Sequence, residues 1–413
     1  MTLKNKTLKK KFSDTEVLVF GSGVSGLIAA YYLSKKSLKV SVVDPFNEPI
    51  LQTLKVDEGI VELAANSILM NQQVKDLLDD LKLDYFSYSD AGKRKYFFRE
   101  NKITRWPLNF FESLSLIPFF IKFIFFKSSI EPVEKETLKE WSLKALPKKF
   151  YERVFKRALQ GVYGPDIDNL SSKLVLQPFF SSKTKKSGSK KLSSISFKEG
   201  MSTFPKALKE YLQSKGVEFL LEEPQGFSGV RVISTPAHSL PKNTPFEDKK
   251  VLDKISYHNI STLTLFIEEQ TKLPFSGFGV VFEDVTGVLG LILNSDLFSY
   301  RAKDGLVSET WILDGRKFES KEEALSAVLE VREKMSGSSK TSLVRSSYYK
   351  SWPKAFPIYN LDLERALDKL NPEGDVYYFA NWTGSLGIGK MIAKGKEFSD
   401  LICSNLNIEE KRK

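Results

Sequence analysis

Several things are scarce in this chain, and each scarcity excludes something. Its 413 residues include one cysteine, Cys403, so no internal disulfide forms and nothing points to an oxidising compartment. Two histidines, His238 and His258, cannot build a His-rich metal site, and no Cys/His cluster spaces ligands for structural zinc, so no metal is expected. The same count disfavours acyl-transfer triads, most of which recruit a histidine. No run of about 20 uninterrupted apolar residues is present, which argues against a membrane-spanning helix. The opening MTLKNKTLKKKF is basic but has no apolar h-region, so it reads as a solvated arm rather than a secretory signal. No repeat recurs at solenoid periods.

What is present is ordinary globular material carrying an excess of positive charge. Hydrophobic residues make up 41% of the chain. At roughly 150 residues per domain, the length suggests about two or three domains. Lys and Arg number 62 against 51 Asp and Glu, a net charge of +11 that suits acidic lipid, carboxylate substrates or nucleic acid, or serves solubility alone. The Ser181–Lys198 stretch, with six lysines and no acid, reads as a mobile surface loop. Leu108–Phe126, LNFFESLSLIPFFIKFIFF, is Phe-rich but interrupted by Glu112, Pro118 and Lys122, and the proline should break or kink a helix there. Strand-like runs fall at Glu16–Phe20, Lys39–Val43, Val230–Ser234, Ser261–Ile267 and Gly287–Leu293. Helical periodicity falls at Gly26–Ser34, Gln72–Leu81, Phe204–Leu212, Glu322–Lys334 and Lys390–Leu406. Alternation at both ends around a β-rich block over 250–315 predicts an α/β fold with an inserted α+β part.

The strongest local motif is VLVFGSGVSGLIAAYYL, in which Gly21, Gly23 and Gly26 follow a short apolar strand and open a helix. A second strand, KVSVV, then ends at Asp44, 21 residues after Gly23. Gly21 permits the tight turn, Gly23 lets the backbone approach a pyrophosphate, and Gly26 lets helix and strand pack closely. Ser22, Val24 and Ser25 complete the turn, whose helix N-terminus offers amide hydrogens to an anion. The carboxylate of Asp44 is placed to accept from ribose hydroxyls. The turn predicts a dinucleotide but does not separate FAD from NAD.

Later blocks together resemble the flavin-dependent protoporphyrinogen oxidase family, a branch of the flavin amine oxidase fold. They are DEGIVELAANSI, QGVYGPDIDNLS, EGMSTFPKALKEYL, SGFGVVF with GVLGLILNSDLF, AFPIY, and FANWTGSLGIGKMIAKG, in family order over roughly residues 16–403. The resemblance implies a Rossmann-like FAD-binding domain (1–70, 200–240 and 345–413), a substrate domain (71–100 and 241–344) and a helical, membrane-associating part (101–199). It implies noncovalent FAD, a tetrapyrrole substrate and no nucleic acid, with the protein cytoplasmic and peripheral on the inner face of the cell membrane. An interfacial role for Leu108–Phe126 stands beside an ordinary buried helix pair.

By the same resemblance Asn381, Trp382, Thr383 and Ile388 would line the flavin, with helix capping alone as the alternative. Gly161 would present a backbone carbonyl that receives developing positive charge, or be a turn glycine only. Lys95, assisted by Arg94, would hold a propionate, unless GKRKYFFRENKITRWP is a solvated basic hairpin. Three stretches depart from the family: DPFNEPILQT lacks its Gly-Gly turn, Ala64 and Ala65 replace a Gly-Pro pair, and EEPQGFSGVRVISTPAH compresses a longer strand pair. All three lie on the flavin side. The readings carried forward are oxidation of proto- or coproporphyrinogen, another flavoenzyme of this fold such as an amine oxidase or desaturase-like enzyme, and a non-catalytic relative that has lost FAD.

Overall fold

The computed structural model describes residues 16–36, 38–45, 51–105, 116–181, 193–283, 285–336, 343–370 and 375–406. Five parallel strands form one sheet in the order β10 (Glu218–Leu220), β2 (Lys39–Val43), β1 (Glu16–Phe20), β11 (Val230–Ile233) and β17 (Val376–Tyr378). Their sequences are nearly continuous apolar runs, as a sheet covered on both faces requires. Val17, Leu18 and Val19 are all buried. The helix Val24–Ser34 covers one face together with Thr203–Ser214 and the last helix, Ile388–Asn405. Every residue from Gly26 to Tyr31 is buried, because this helix is apolar all round rather than on one stripe.

The second sheet has seven strands: β16 (Val344–Pro357), β12 (Tyr257–Glu268), β15 (Leu306–Asp314), β14 (Val288–Ile292), β13 (Gly279–Phe282), β7 (Lys95–Arg99) and β8 (Lys102–Arg105). Neighbours are antiparallel except β13 and β7. Strand alternation gives it two unlike faces. Leu263, Leu265, Ile267, Trp311 and Leu313 pack on the helix Lys321–Ser336 through Ala324, Val328 and Val331. Ile260, Thr262 and Phe266 lie on the opposite face, toward the glycine turn and the β3 (Thr53–Val56) to β4 (Gly59–Glu62) hairpin. The latter part of the lysine-rich stretch is not loop. Ser194–Ser196 forms β9 between β5 (Ile68–Leu69) and β6 (Phe86–Ser87), because Ile195 supplies a fully buried side chain; residues 182–192 lie outside the described set.

Helices between β8 and β9 surround a third core that includes Leu138, Trp141, Ile167, Val175 and Trp382. Leu138–Ala145 begins with a capping box between Thr137 and Glu140. Pro118 does not break the helix Ile117–Phe125; it occupies the second position, where a missing amide hydrogen costs nothing. Phe119 and Phe123 turn inward toward Trp141 and Phe180, while Ile117, Ile121, Phe125 and Phe126 are exposed. Residues 106–115 of that Phe-rich stretch lie outside the described set. Among the described residues no helix is long and apolar enough to cross a membrane.

Candidate functional site

The glycine turn has the geometry that its spacing requires. Gly21 sits at φ +101°, and its amide donates to the Val43 carbonyl at 2.9 Å, joining the turn to the end of β2. A Cβ on Gly26 would fall 1.8 Å from the Gly21 carbonyl oxygen, so glycine is obligatory there. Gly23 is the N-cap of the first helix and provides no side-chain cap, which leaves the first amide hydrogens without an intrahelical acceptor. Gly23, Val24 and Ser25 line a cavity of ≈ 520 Å³; Ser22 and the other two glycines build the turn behind it.

That cavity lies between the turn and the antiparallel sheet. Asn381, Ser385, Gly387 and Ile388, at the start of the last helix, continue the wall beside the turn. Opposite them stand Ile260, Ile292, Ile312, Trp352 and Phe356. Gln160, Gly161, Val162 and Gly164 close a third side. Among the described residues, no Asp, Glu, Lys, Arg or His side chain lines it. Its polar groups are neutral, chiefly hydroxyls and amides gathered on the side of the turn.

The residues fit a flavin dinucleotide. The buried hydroxyls of Ser234 and Ser385, both in the cavity wall, have no hydrogen-bond partner, nor does that of Thr235 against Gly21. Orphaned buried hydroxyls are costly unless a ligand or water completes them. Asp44 is buried at the end of β2, as its spacing predicts, and its carboxylate takes Lys209 Nζ at 3.0 Å. Ala64 and Ala65, in place of the family's Gly-Pro, both line the cavity, as does Leu51 beyond the altered turn. Residues 46–50 of that turn lie outside the described set.

Two anchors near the site were not visible in the sequence. Glu62 and Arg301 form an ion pair with each side chain 2% exposed. Arg301 also donates to Ser196 and to the Asn66 carbonyl, and Glu62 accepts from the Met201 amide and the Thr53 hydroxyl. This network pins the β3–β4 hairpin to the turn Ser299–Arg301 that precedes β15. His258 is the second anchor. Its ring packs under Gly164, where an added Cβ would approach to 2.7 Å, and its Nε2 has no partner. Burial pushes the imidazole below its usual range, opposed by Asp166 and by a hydrogen bond to the Tyr163 backbone.

Some residues expected at the site are elsewhere. Trp382 is fully buried behind the wall, its indole donating to the Thr235 carbonyl at 3.0 Å, and Thr383 Oγ1 closes a turn on the Ala380 carbonyl at 2.8 Å. Both hold Asn381 in place rather than line the cavity. Arg94 and Lys95 do not line it either. Lys95 starts β7, two strands beyond β14, the last strand of this sheet to contribute to the wall, and its Nζ lies 5.5 Å from the Phe278 ring centroid. The hairpin's basic residues follow strand order to the far edge of the sheet, away from the cavity. Gly161 does line it, in the last turn of the helix Lys156–Tyr163 rather than in a loop, with its nearest potential Cβ contact Val281 at 3.7 Å. Last-turn carbonyls lack intrahelical donors, which suits a carbonyl offered to a ligand.

A turn that binds dinucleotides, a last helix aimed at the same cavity and an antiparallel sheet across from it define a flavin-binding oxidoreductase fold. The model of the flavin containing amine oxidoreductase family matches residues 24–225 of the chain, and the cofactor is a flavin of the FAD type. The chain is similar to protoporphyrinogen oxidase 2, chloroplastic/mitochondrial, of Arabidopsis thaliana, at 25% identity over 95% of each chain. Among solved structures, one from Exiguobacterium sp. 255-15 matches with TM-score 0.71 and 16% identity over 95% of this chain and 99% of that one. Wild-type putrescine oxidase bound to putrescine matches with TM-score 0.67 and 16% identity over 94% and 99%.

Proposed function

We propose that the protein oxidises a porphyrinogen, protoporphyrinogen or coproporphyrinogen, to the porphyrin. The observation that carries this reading is the cavity: apolar on its sheet side, free of charged side chains among the described residues, and faced by the helix terminus that would hold the dinucleotide. A macrocycle, neutral except for peripheral carboxylates, suits such a slot. A diamine suits it less, because among the described residues no carboxylate lines the wall to meet an ammonium group.

FAD, when bound, supplies the hydride acceptor for a methylene bridge carbon. The chain's own contribution is placement. The amides of the first helix and Asp44 hold the dinucleotide; Ile260, Ile312, Trp352 and Phe356 exclude water from the reacting face. The Gly161 carbonyl stabilises positive charge that develops on the substrate. Attachment is noncovalent: the one thiol, Cys403, is buried near the far end of the last helix. In this reading residues 1–70, 200–240 and 345–413 carry the cofactor, 71–100 and 241–344 the substrate, and 101–199 a membrane contact. That contact uses the exposed Ile117, Ile121 and Phe125 row, which would lie in the lipid interface without crossing it.

Porphyrin fluorescence released from protoporphyrinogen and coproporphyrinogen, with putrescine-dependent reoxidation run in parallel, tests the reaction. Flavin-loaded protein that turns over the diamine and neither porphyrinogen would refute it. Flotation with acidic liposomes tests the membrane contact: Ile121→Glu with Phe125→Glu is expected to release the protein, and equal retention of both forms would assign the row another role.

A further inference from the structure

The cavity leaves one question open. A porphyrinogen carries propionates, yet among the described residues no cation lines the wall, and the basic residues expected to receive them lie two strands away. The substrate sheet itself offers an answer. Its edge strand β16 presents Tyr348, Lys350 and Trp352 at alternate positions, hence on one face. The register identifies that face: Trp352 pairs with Ile260 and Lys350 with Thr262, and directly paired residues share a face. Ile260, Thr262 and Trp352 all line the cavity. Lys350 is therefore on the cavity face, at the edge where the sheet ends.

The polar tips of its two neighbours are already engaged. Trp352 Nε1 donates to the Leu63 carbonyl at 2.8 Å, and the Tyr348 hydroxyl donates to Glu58 at 3.1 Å. Lys350 is half-buried, and its Nζ lies 4.8 Å from the Trp352 ring centroid. Among the described residues it makes no hydrogen bond or ion pair. An ammonium with three donors, held over an aromatic face at the edge of an apolar slot, lacks only an anion.

We infer that Lys350, seated on Trp352, is the subsite that receives a carboxylate of the substrate at the open edge of the cavity. This rests on the porphyrinogen reading and names which group orients the macrocycle. The Trp352 ring fixes the lysine stem across the sheet face, so the carboxylate is held at the rim while the uncharged body of the ligand lies inside. Lys95, on the far strand, takes no part.

The test is equilibrium binding of mesoporphyrin IX and of its dimethyl ester to the full-length, FAD-loaded protein, read by porphyrin fluorescence. Lys350→Gln is expected to weaken the free acid by about tenfold or more, as loss of a charge-assisted contact does, and to leave the ester unchanged. Lys350→Arg should retain acid binding, and Lys95→Ala should match the wild type. Matched flavin absorbance and melting transitions verify the fold. Equal acid affinity in wild type and Lys350→Gln, or an ester weakened as much as the acid, overturns the assignment even if porphyrinogen turnover persists. Acid-over-ester selection that depends on Lys350, in an enzyme that oxidises no porphyrinogen, overturns the reaction while keeping the subsite. A wild type that binds neither form overturns both.

Discussion

The two walls of the cavity are made in different ways. On one side the wall is largely backbone: a turn in which Gly26 admits no side chain, and helix amides aimed outward. On the other it is made of side chains on a sheet whose backbone hydrogen bonds are already spent on neighbouring strands. The first kind of wall depends on a few positions absolutely and on the rest weakly. The second distributes its function over many apolar residues, each replaceable by another of similar volume. A cofactor common to many enzymes can be held by the first; discrimination among substrates belongs to the second.

The largest effect is expected from breaking the backbone wall. In Gly26→Val the Cβ would meet the Gly21 carbonyl oxygen at 1.8 Å, and relieving that contact separates helix from strand. Protein purified from this variant should lack the flavin spectrum, even with excess FAD supplied. Flavin retained at wild-type occupancy would mean that the turn tolerates a side chain and that the backbone does not set this wall.

Next comes the seam between the walls. Arg301→Met strands the Glu62 carboxylate, which is 2% exposed, so a loss of about 3–5 kcal/mol in urea-unfolding stability is expected. Glu62→Gln, which keeps hydrogen-bonding capacity toward the Thr53 hydroxyl, should lose less. Losses below about 1 kcal/mol in Arg301→Met, the level of a surface pair, would show that the hairpin is held by packing instead.

The smallest expected effect separates space from chemistry at Gly161. A Cβ there finds its nearest neighbour at 3.7 Å, so Gly161→Ala should keep the fold, the flavin and near-wild-type turnover. Gly161→Leu projects into the cavity and should raise the Michaelis constant by about tenfold or more through lost volume, with flavin occupancy unchanged. If alanine abolishes turnover as completely as leucine, the role assigned to the carbonyl on the main chain needs revision.

The same contrast governs how much of the molecule can be read in the sequence. Strands Glu16–Phe20 and Lys39–Val43 and the helix Gln72–Leu81 begin and end where periodicity predicts, because each buries a simple apolar pattern. The glycine turn is legible because the positive φ at Gly21 and the 1.8 Å approach at Gly26 favour one residue type at each of those two positions. Strand β16 is not legible: SSYYKSWPK mixes hydroxyls, lysines and a proline, and its pairing depends on β12, some 90 residues earlier in the chain. Lys350 is hidden for that reason. Arg94 and Lys95 lie outside the cavity wall because β7 joins the sheet beside β13, a strand order that linear proximity to aromatics does not reveal. His258 and Arg301 are single residues whose importance comes from what folds around them.

The order of strands in the parallel sheet also has a consequence for biosynthesis. β1, the strand that carries the glycine turn, is among the first described residues to leave the ribosome, yet it lies between β2 and β11, and the sheet is completed by β17 at Val376–Tyr378. The helix Ile388–Asn405, which packs on the first helix and supplies the opposite rim of the dinucleotide cleft, is made later still. The antiparallel sheet, by contrast, has all its strands available once β16 has emerged. The nascent chain therefore holds an open half-site until the last helix has emerged, and flavin capture waits for that helix. Truncation before the helix Ile388–Asn405 should thus cost cofactor loading before it costs the substrate sheet, which is complete at Pro357.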